Sequence, residues 1–322
     1  MKLNNIELTF ENFANEMAKL KNEKHFDYLV TIIGEDFGEE GLGCIYILEN
    51  TQNNERCSVR TIAKKVDGSD VIPTVTNLWK AADLLEREVF DFVGIKFLGH
   101  PDMRRLFLRT DFVGHPLRKD FDMSPEANKF PLTDEPEDDF TVEYSLDKDG
   151  HLVETKHRLF EEDEYVVNIG PNHPSTHGVL RLQTVIDGET VKRIYPHLGY
   201  IHRGIEKMWE GMTYPQTLAL TDRLNYLSAM MHRHALVGVI EEAMGIELSD
   251  RIRYIRTIMD ELQRIDSHLL FLGCTAQDLG ALTAFLYCMR DREHVLNVME
   301  ETTGLSLIHI SEPTRLRCIS YA

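Results

Sequence analysis

The stretch Ile169–Leu182, IGPNHPSTHGVLRL, places two histidines, His173 and His177, four residues apart. On a helix that spacing would put both rings on one face, where they could grip a metal ion. Pro174 between them and Gly178 after them break any such helix. The stretch is therefore a loop running into a strand, and its imidazoles are not an i,i+4 metal pair. Beyond it, GVLRLQTVIDGETVKRIYP reads as a β-hairpin, because two β-rich runs flank Asp187-Gly188, a dipeptide favoured in two-residue type I′ turns. The chain then turns helical. Thr213–Gly245 reads as one long helix closed by Gly245. Ser249–Gly273 reads as a second, starting at a Ser-Asp cap, carrying Ile252, Ile255, Met259, Leu262 and Ile265 on one face, and stopping at Gly273. A third runs from Thr275 to about Thr303, with a bend near Gly280.

On the N-terminal side of the loop the composition changes twice. Residues 122–164 include LTDEPEDDFTVEYSLDKDG and RLFEEDEY, acidic and poor in large apolar side chains, and are read as a solvated linker. Residues 1–121 read as an α+β unit. Its short β-branched runs His25–Phe37, Gly43–Asn50 and Arg56–Lys65 are strand-like, and Val75–Gly94 has Leu78, Ala82, Leu85 and Val89 at helical spacing.

The bulk properties exclude several classes of function. The chain has 322 residues and a formal net charge of −18, which argues against nucleic acid or an anionic membrane surface as a direct partner, since both need a basic face. No apolar run approaches the roughly 20 residues that span a bilayer, and MKLNNIELTFENF lacks a signal-peptide core. Cys44, Cys57, Cys274, Cys288 and Cys318 form no Cys-x-x-Cys pair, so neither a disulfide framework nor a zinc or iron–sulfur site is expected. No Gly-x-Gly-x-x-Gly follows a strand, so the chain is not expected to bind a dinucleotide.

Longer motifs carry a resemblance. LEREVFDFVGIKFLGHPDMRRLFLRTDFVGHPLRKDF (Leu85–Phe121) contains two Gly-His-Pro turns, each weak alone, but the whole string closely resembles the signature of the 30 kDa-type subunit of respiratory complex I, a scaffold without cofactors. GPNHPSTHGVLRL, PHLGYIHRGIEKM, TDRLNYLSAM, ELQRIDSHLLFLG and DLGALTAF resemble, in order, the 49 kDa-type subunit of the same complex. The chain is thus similar to fused C/D-type subunits of bacterial complex I. The resemblance implies a 30 kDa-type domain over 1–121, a linker over 122–164 and an incomplete 49 kDa-type domain over 165–304. The last would be a β-hairpin plus long-helix bundle related to the nickel–iron hydrogenase large-subunit fold.

Roles for individual residues are implied by that family. The loop histidine facing a quinone head group falls on His177, the quinone tyrosine on Tyr226, and the acidic partner of the histidine on Asp278. His173 would be a second polar wall, and Arg203 would lie near a terminal [4Fe-4S] cluster on a small partner subunit. The chemistry of these side chains agrees with such roles. Imidazole titrates near neutral pH, a phenol can donate to a carbonyl oxygen, and a carboxylate can orient and recharge an imidazole. Quinone would be the substrate, no metal would bind here, and electrons would come from elsewhere, because the chain has no cluster ligands. NAD and FMN would sit on other subunits. The complex would lie peripherally on the cytoplasmic side of the cell membrane, held by membrane-arm subunits and moving protons through them. His232 and His234, two apart, are not a metal pair, and Asp260 and Arg264 are spaced for an ordinary helix ion pair. Two alternatives stay open on sequence alone. A hydrogenase-related large subunit would need thiolates where Asn225 and Ser228 stand, and a purely scaffolding subunit would need none of His177, Tyr226 or Asp278. The final stretch, Leu305–Ala322, LSLIHISEPTRLRCISYA, resembles the in-frame translation of a transposase-type sequencing adapter, and the natural chain is expected to continue differently after Gly304.

Overall fold

A computed structural model describes residues 4–124, 139–161, 164–176 and 178–303. The expected tail after Gly304 lies outside them. The chain divides into two compact units, Met1–Lys207 and Met208–Ala322.

The first unit is α+β. Strand β1 (Asn4–Leu8) leads into helix α1 (Phe10–Asn22), then β2 (Tyr28–Asp36), β3 (Leu42–Asn50) and β4 (Glu55–Ile62), which form a four-stranded sheet of order β1-β4-β3-β2. The expected strands are all present, although the run Arg56–Lys65 is divided at Ala63 between β4 and β5 (Lys64–Val66). α1 buries Phe13, Met17 and Leu20, with Phe13 5.2 Å from the Tyr46 ring. Helix α2 (Ala82–Val93) is shorter than its periodic pattern. It is closed by Gly94 in the left-handed conformation and buries Val89, Phe92 and Val93 in the same core.

The linker reading needs correction. β6 (Ser69–Pro73), β7 (Lys96–Leu98), β8 (Phe140–Leu146) and β9 (Leu152–Arg158) make, with β5, a five-stranded sheet of order β5-β6-β7-β8-β9. Residues 140–158 are therefore sheet, not solvated connector. Tyr144 is a core residue, and Lys96 Nζ stands 4.5 Å over its ring. The alternation Phe140, Val142, Tyr144, Leu146 is a strand signal that the averaged acidic composition hid. β9 is charged and exposed because it is the edge. The domain boundary expected at 165 also shifts: β10 (Tyr165–Ile169), β13 (Arg181–Asp187) and β14 (Thr190–His197) form an antiparallel sheet, and it belongs to the first unit. The hairpin between β13 and β14 exists, with Gly188-Glu189 rather than Asp187-Gly188 as its two-residue loop. Between β10 and β13, β11 (Asn172–His173) pairs with β12 (Gly178–Val179).

Helix α3 (Ile205–Glu210) carries the junction. The second unit is helical: α4 (Tyr214–Thr221), α5 (Ala229–Met244), α6 (Asp250–Asp278) and α7 (Leu282–Thr303). The single helix expected over Thr213–Gly245 is broken at Asp222–Ser228. Asn225 Oδ1 accepts the N–H of Leu227 at 3.1 Å, and Ser228 N–H donates to Asn225 O at 2.9 Å, a local turn that outcompetes the helix. Gly245 closes α5 as expected. α6 does not stop at Gly273. That glycine is buried against α7, where a Cβ would meet Cys288 Cβ at 3.2 Å and Phe285 Cδ2 at 3.3 Å. It marks a close helix crossing, and the turn falls instead at Gly280, φ +88°. Ser249 holds the N-cap position but makes no side-chain cap bond.

Candidate functional site

The loop between β10 and β13 is held by its own polar groups. Thr176 Oγ1 lies 2.8 Å from His173 O and 3.0 Å from Gly178 O, closing a 3-10 turn over Pro174–Thr176. His173 is exposed on β11. His177 lies outside the described residues, between Thr176 and Gly178. Neighbouring strands brace the base of the loop: Arg181 Nε donates to Asn168 Oδ1 at 3.0 Å, and His197 Nε2 lies 3.0 Å from Gln183 Oε1.

Arg203 is exposed on the segment after β14. Its position is set by its neighbour. His202 stacks on Phe92 at 4.8 Å and on Phe107 at 5.3 Å, and its Nδ1 accepts Gly204 N–H at 3.2 Å. Gly199 lies so close to Phe107 O that a Cβ would sit 2.0 Å from it. The PHLGYIHRG motif is thereby docked on RRLFLRT, and between them lies a cleft of about 360 Å³ whose lining includes Arg87, Arg104, Arg105, Arg109, Arg181 and His197.

The framework behind RRLFLRT turns on one carboxylate. Asp91 is fully buried. Its Oδ2 accepts N–H groups from Leu106, Phe107 and Leu108 at 3.1, 2.7 and 2.9 Å, and its Oδ1 takes Arg105 Nη1 at 2.8 Å. The two Gly-His-Pro histidines are structural. His100 is fully buried, donates from Nε2 to Asp83 O at 3.1 Å and accepts Asp102 N–H on Nδ1 at 3.0 Å. His115 Nδ1 donates to Asp91 O at 3.0 Å. Burial lowers the pKa of both rings, keeping them neutral.

In the second unit, Tyr226 sits in the break between α4 and α5 and is 79% exposed. Its turn is pinned from α6, where Gln263 Nε2 donates to Leu227 O at 3.0 Å and to Asp266 Oδ2 at 3.2 Å. Arg292 of α7 meets the same carboxylate, Nη2 to Oδ2 at 3.2 Å and Nε to Oδ1 at 2.9 Å. Burial pushes the Asp266 carboxyl up while Arg292 pulls it down. Sequence reasoning missed these three residues. The available signal was a Gln and an Asp following Met259 on the buried face of α6. Asp278 is the last residue of α6 and exposed. A carboxylate at a helix C-terminus faces the negative end of the dipole, so the helix itself gains nothing from it. Asp260 pairs with His234 at 2.6 Å, not with Arg264, which pairs with Glu261 at 3.0 Å. Among the described residues no group of three or more His, Cys, Asp or Glu side chains is placed to hold a metal ion. His173 and Arg203 thus belong to the first unit, and Tyr226 and Asp278 to the second.

Residues 6–127 match the family model "Respiratory-chain NADH dehydrogenase, 30 Kd subunit". The fused C/D subunit of NADH-quinone oxidoreductase from Phocaeicola vulgatus is 54% identical over 303 residues, covering 94% of this chain and 58% of that protein. Its counterpart from Bacteroides fragilis is 54% identical over 305 residues, covering 91% of this chain and 57% of the relative. A C/D subunit from Aquifex aeolicus is 40% identical over 310 residues, 92% of this chain and 52% of the relative. The chain spans somewhat more than half the length of these curated relatives. With the α+β first unit and the helical second unit, these matches show that the chain is related over nearly its whole length to the fused C/D subunits of NADH-quinone oxidoreductase.

Proposed function

We propose that the chain builds part of the wall of a quinone-reduction chamber in a proton-translocating NADH:quinone oxidoreductase. The observation that carries the reading is Tyr226, a phenol 79% exposed on a turn fixed from behind by a buried side chain. An aromatic hydroxyl held in that way costs exposed apolar area, and it is suited to donating a hydrogen bond to a ligand carbonyl.

In this reading Tyr226 Oη–H donates to one carbonyl oxygen of the quinone head group, and the His177 ring delivers a proton to the other as the ring is reduced. Asp278 orients and reprotonates the imidazole, and His173 supplies a second polar contact. The two electrons would come one at a time from a [4Fe-4S] cluster on a small partner subunit, beside which Arg203 would supply a positive charge; FMN and NAD would act on other subunits. Quinone plus two electrons and two protons gives quinol; His177 supplies one proton and the Tyr226 phenol the other, the phenol being reprotonated from water as the quinol leaves. Residues 165–304 follow the nickel–iron hydrogenase large-subunit pattern without its metal chemistry. Asn225 Nδ2 donates to Ser228 Oγ at 3.5 Å, and an amide and a hydroxyl at those two positions offer no soft ligand.

Two further features support a place within a larger assembly. Among the described residues no helix is long and apolar enough to cross a membrane, so attachment to the cytoplasmic face would come through membrane-arm partners. The second unit exposes large apolar side chains in number, among them Tyr254 at 72%, Ile258 at 57%, Phe271 at 70% and Leu279 at 83%. Such surface marks a protein interface.

A photoreactive quinone analogue tests the assignment in the assembled complex. Label recovered on peptides carrying Tyr226 or residues 169–182, and competed away by excess quinone, is the expected result. Competable label confined to other subunits would refute it and leave a scaffold.

A further inference from the structure

Tyr226 is held by its backbone rather than by its ring. The turn Asp222–Ser228 is closed locally by Asn225 and tied at its first residue to α5 by the Arg233–Asp222 ion pair, while at the end that carries Tyr226 the tether is Gln263 of α6 on the Leu227 carbonyl. Gln263 and Asp266 are 6% and 1% exposed, polar groups set into the contact between α6 and its neighbours, where apolar side chains would cost less to bury. Their hydrogen bonds are directional. Asp266 Oδ2 accepts from Gln263 Nε2 and from Arg292 Nη2. As an ionised carboxylate it offers only acceptors. The Gln263 amide must therefore present its NH2 to Asp266, and the second proton of that group points at Leu227 O.

We propose that Gln263, Asp266 and Arg292 are positioning residues for Tyr226, with Arg292 fixing Asp266, Asp266 fixing the orientation of the Gln263 amide, and that amide fixing the turn. The inference rests on the reading of Tyr226 as the quinone-facing phenol. None of the three touches the ligand, and all act through the Leu227 carbonyl.

The test uses the assembled complex with two readouts, amide hydrogen exchange over residues 222–229 and steady-state kinetics with a short-chain quinone. Electron transfer from NADH to an artificial acceptor that bypasses the quinone site serves as the measure of assembly. Gln263→Met keeps the volume and loses the donors. Its turn is expected to exchange about tenfold faster, with KM for quinone raised about fivefold, kcat changed less than about twofold and artificial-acceptor activity at the parental level. A purely structural role would lower the amount of active complex and leave KM alone. Asp266→Asn still offers an acceptor oxygen, so exchange and KM are expected to stay near the parent, whereas Asp266→Leu is expected to match Gln263→Met. Should Gln263→Met fail to assemble, Gln263→Asn, one methylene too short to reach Leu227 O, is judged by the same criteria.

Parental exchange in an assembled Gln263 variant overturns the tether. Faster exchange with a parental KM overturns the positioning role and leaves the Tyr226 assignment standing. Parental kinetics in Tyr226→Phe would remove the assignment itself, and the exchange data would then report a tether with nothing to position.

Discussion

Asp91 shows how much of a framework one side chain can determine. Three consecutive backbone N–H groups and a guanidinium converge on it in a buried site. Asp91→Ala would leave Arg105 uncompensated and orphan three donors, so the cost is expected to be on the order of 3–5 kcal/mol, read as a lowered urea midpoint of the full chain. Glu86 makes a different prediction. It is fully buried, accepts Val75 N–H at 2.8 Å, lies 2.6 Å from Thr74 Oγ1, and burial raises its pKa to about 8. A carboxyl whose folded pKa lies above its unfolded value contributes stability that is fully present at low pH and is lost as pH rises through the folded value. The parental unfolding free energy from urea titration should therefore fall between pH 7 and 9 by about 1 kcal/mol more than that of Glu86→Gln. Equal slopes would show that Glu86 does not titrate there. At this scale the sequence was legible where a backbone break or a cap needs one residue type, as at Gly245, and illegible where a side chain chooses a partner far along the chain. The spacing of Asp260 and Arg264 permitted an ion pair, yet His234 on another helix takes the aspartate.

Among elements, β2, β3 and β4 followed directly from β-branched runs, because each run is short and bounded by turns, whereas β1, β6 and β7, of three to five residues, were not read. The failures have physical causes. β8 and β9 were masked by net acidity, although the sheet needs only the inward alternation of β8 and tolerates charge on the edge strand β9. Limited proteolysis of the full chain should accordingly spare residues 140–158 until the first unit unfolds; early cleavage there would contradict the sheet. The helix that was expected to run unbroken to Gly245 is interrupted because Asn225 offers the backbone a closer partner than the next turn. Gly273 misled in the opposite sense, since a helix terminator and a close-packing glycine look identical in sequence. Gly273→Val would press on Cys288, Phe285 and Met289, and is expected to cost roughly 1–3 kcal/mol, visible as a lower thermal midpoint of the second unit.

At the scale of the molecule, the relationship was legible in ordered motifs, and 54% identity to two curated C/D subunits supports it. The assignment of Tyr226, Asp278, His173, Arg203 and His177 to a quinone chamber goes further. These residues divide between two units, and the chamber would be completed by partners and by the portion that longer relatives possess. Charge bears on the same point. A chain with a net charge of −18 concentrates arginines in the cleft beside PHLGY, and apolar side chains stand exposed on its helices, as on a surface that further protein covers. The quinone assignment stands or falls on the quinone reductase rate of the assembled complex carrying Tyr226→Phe and, separately, His177→Ala, with electron transfer to an artificial acceptor as control. A fall of at least about tenfold in the quinone rate, with the control unchanged, is the predicted result; both variants reducing quinone at the parental rate would contradict it.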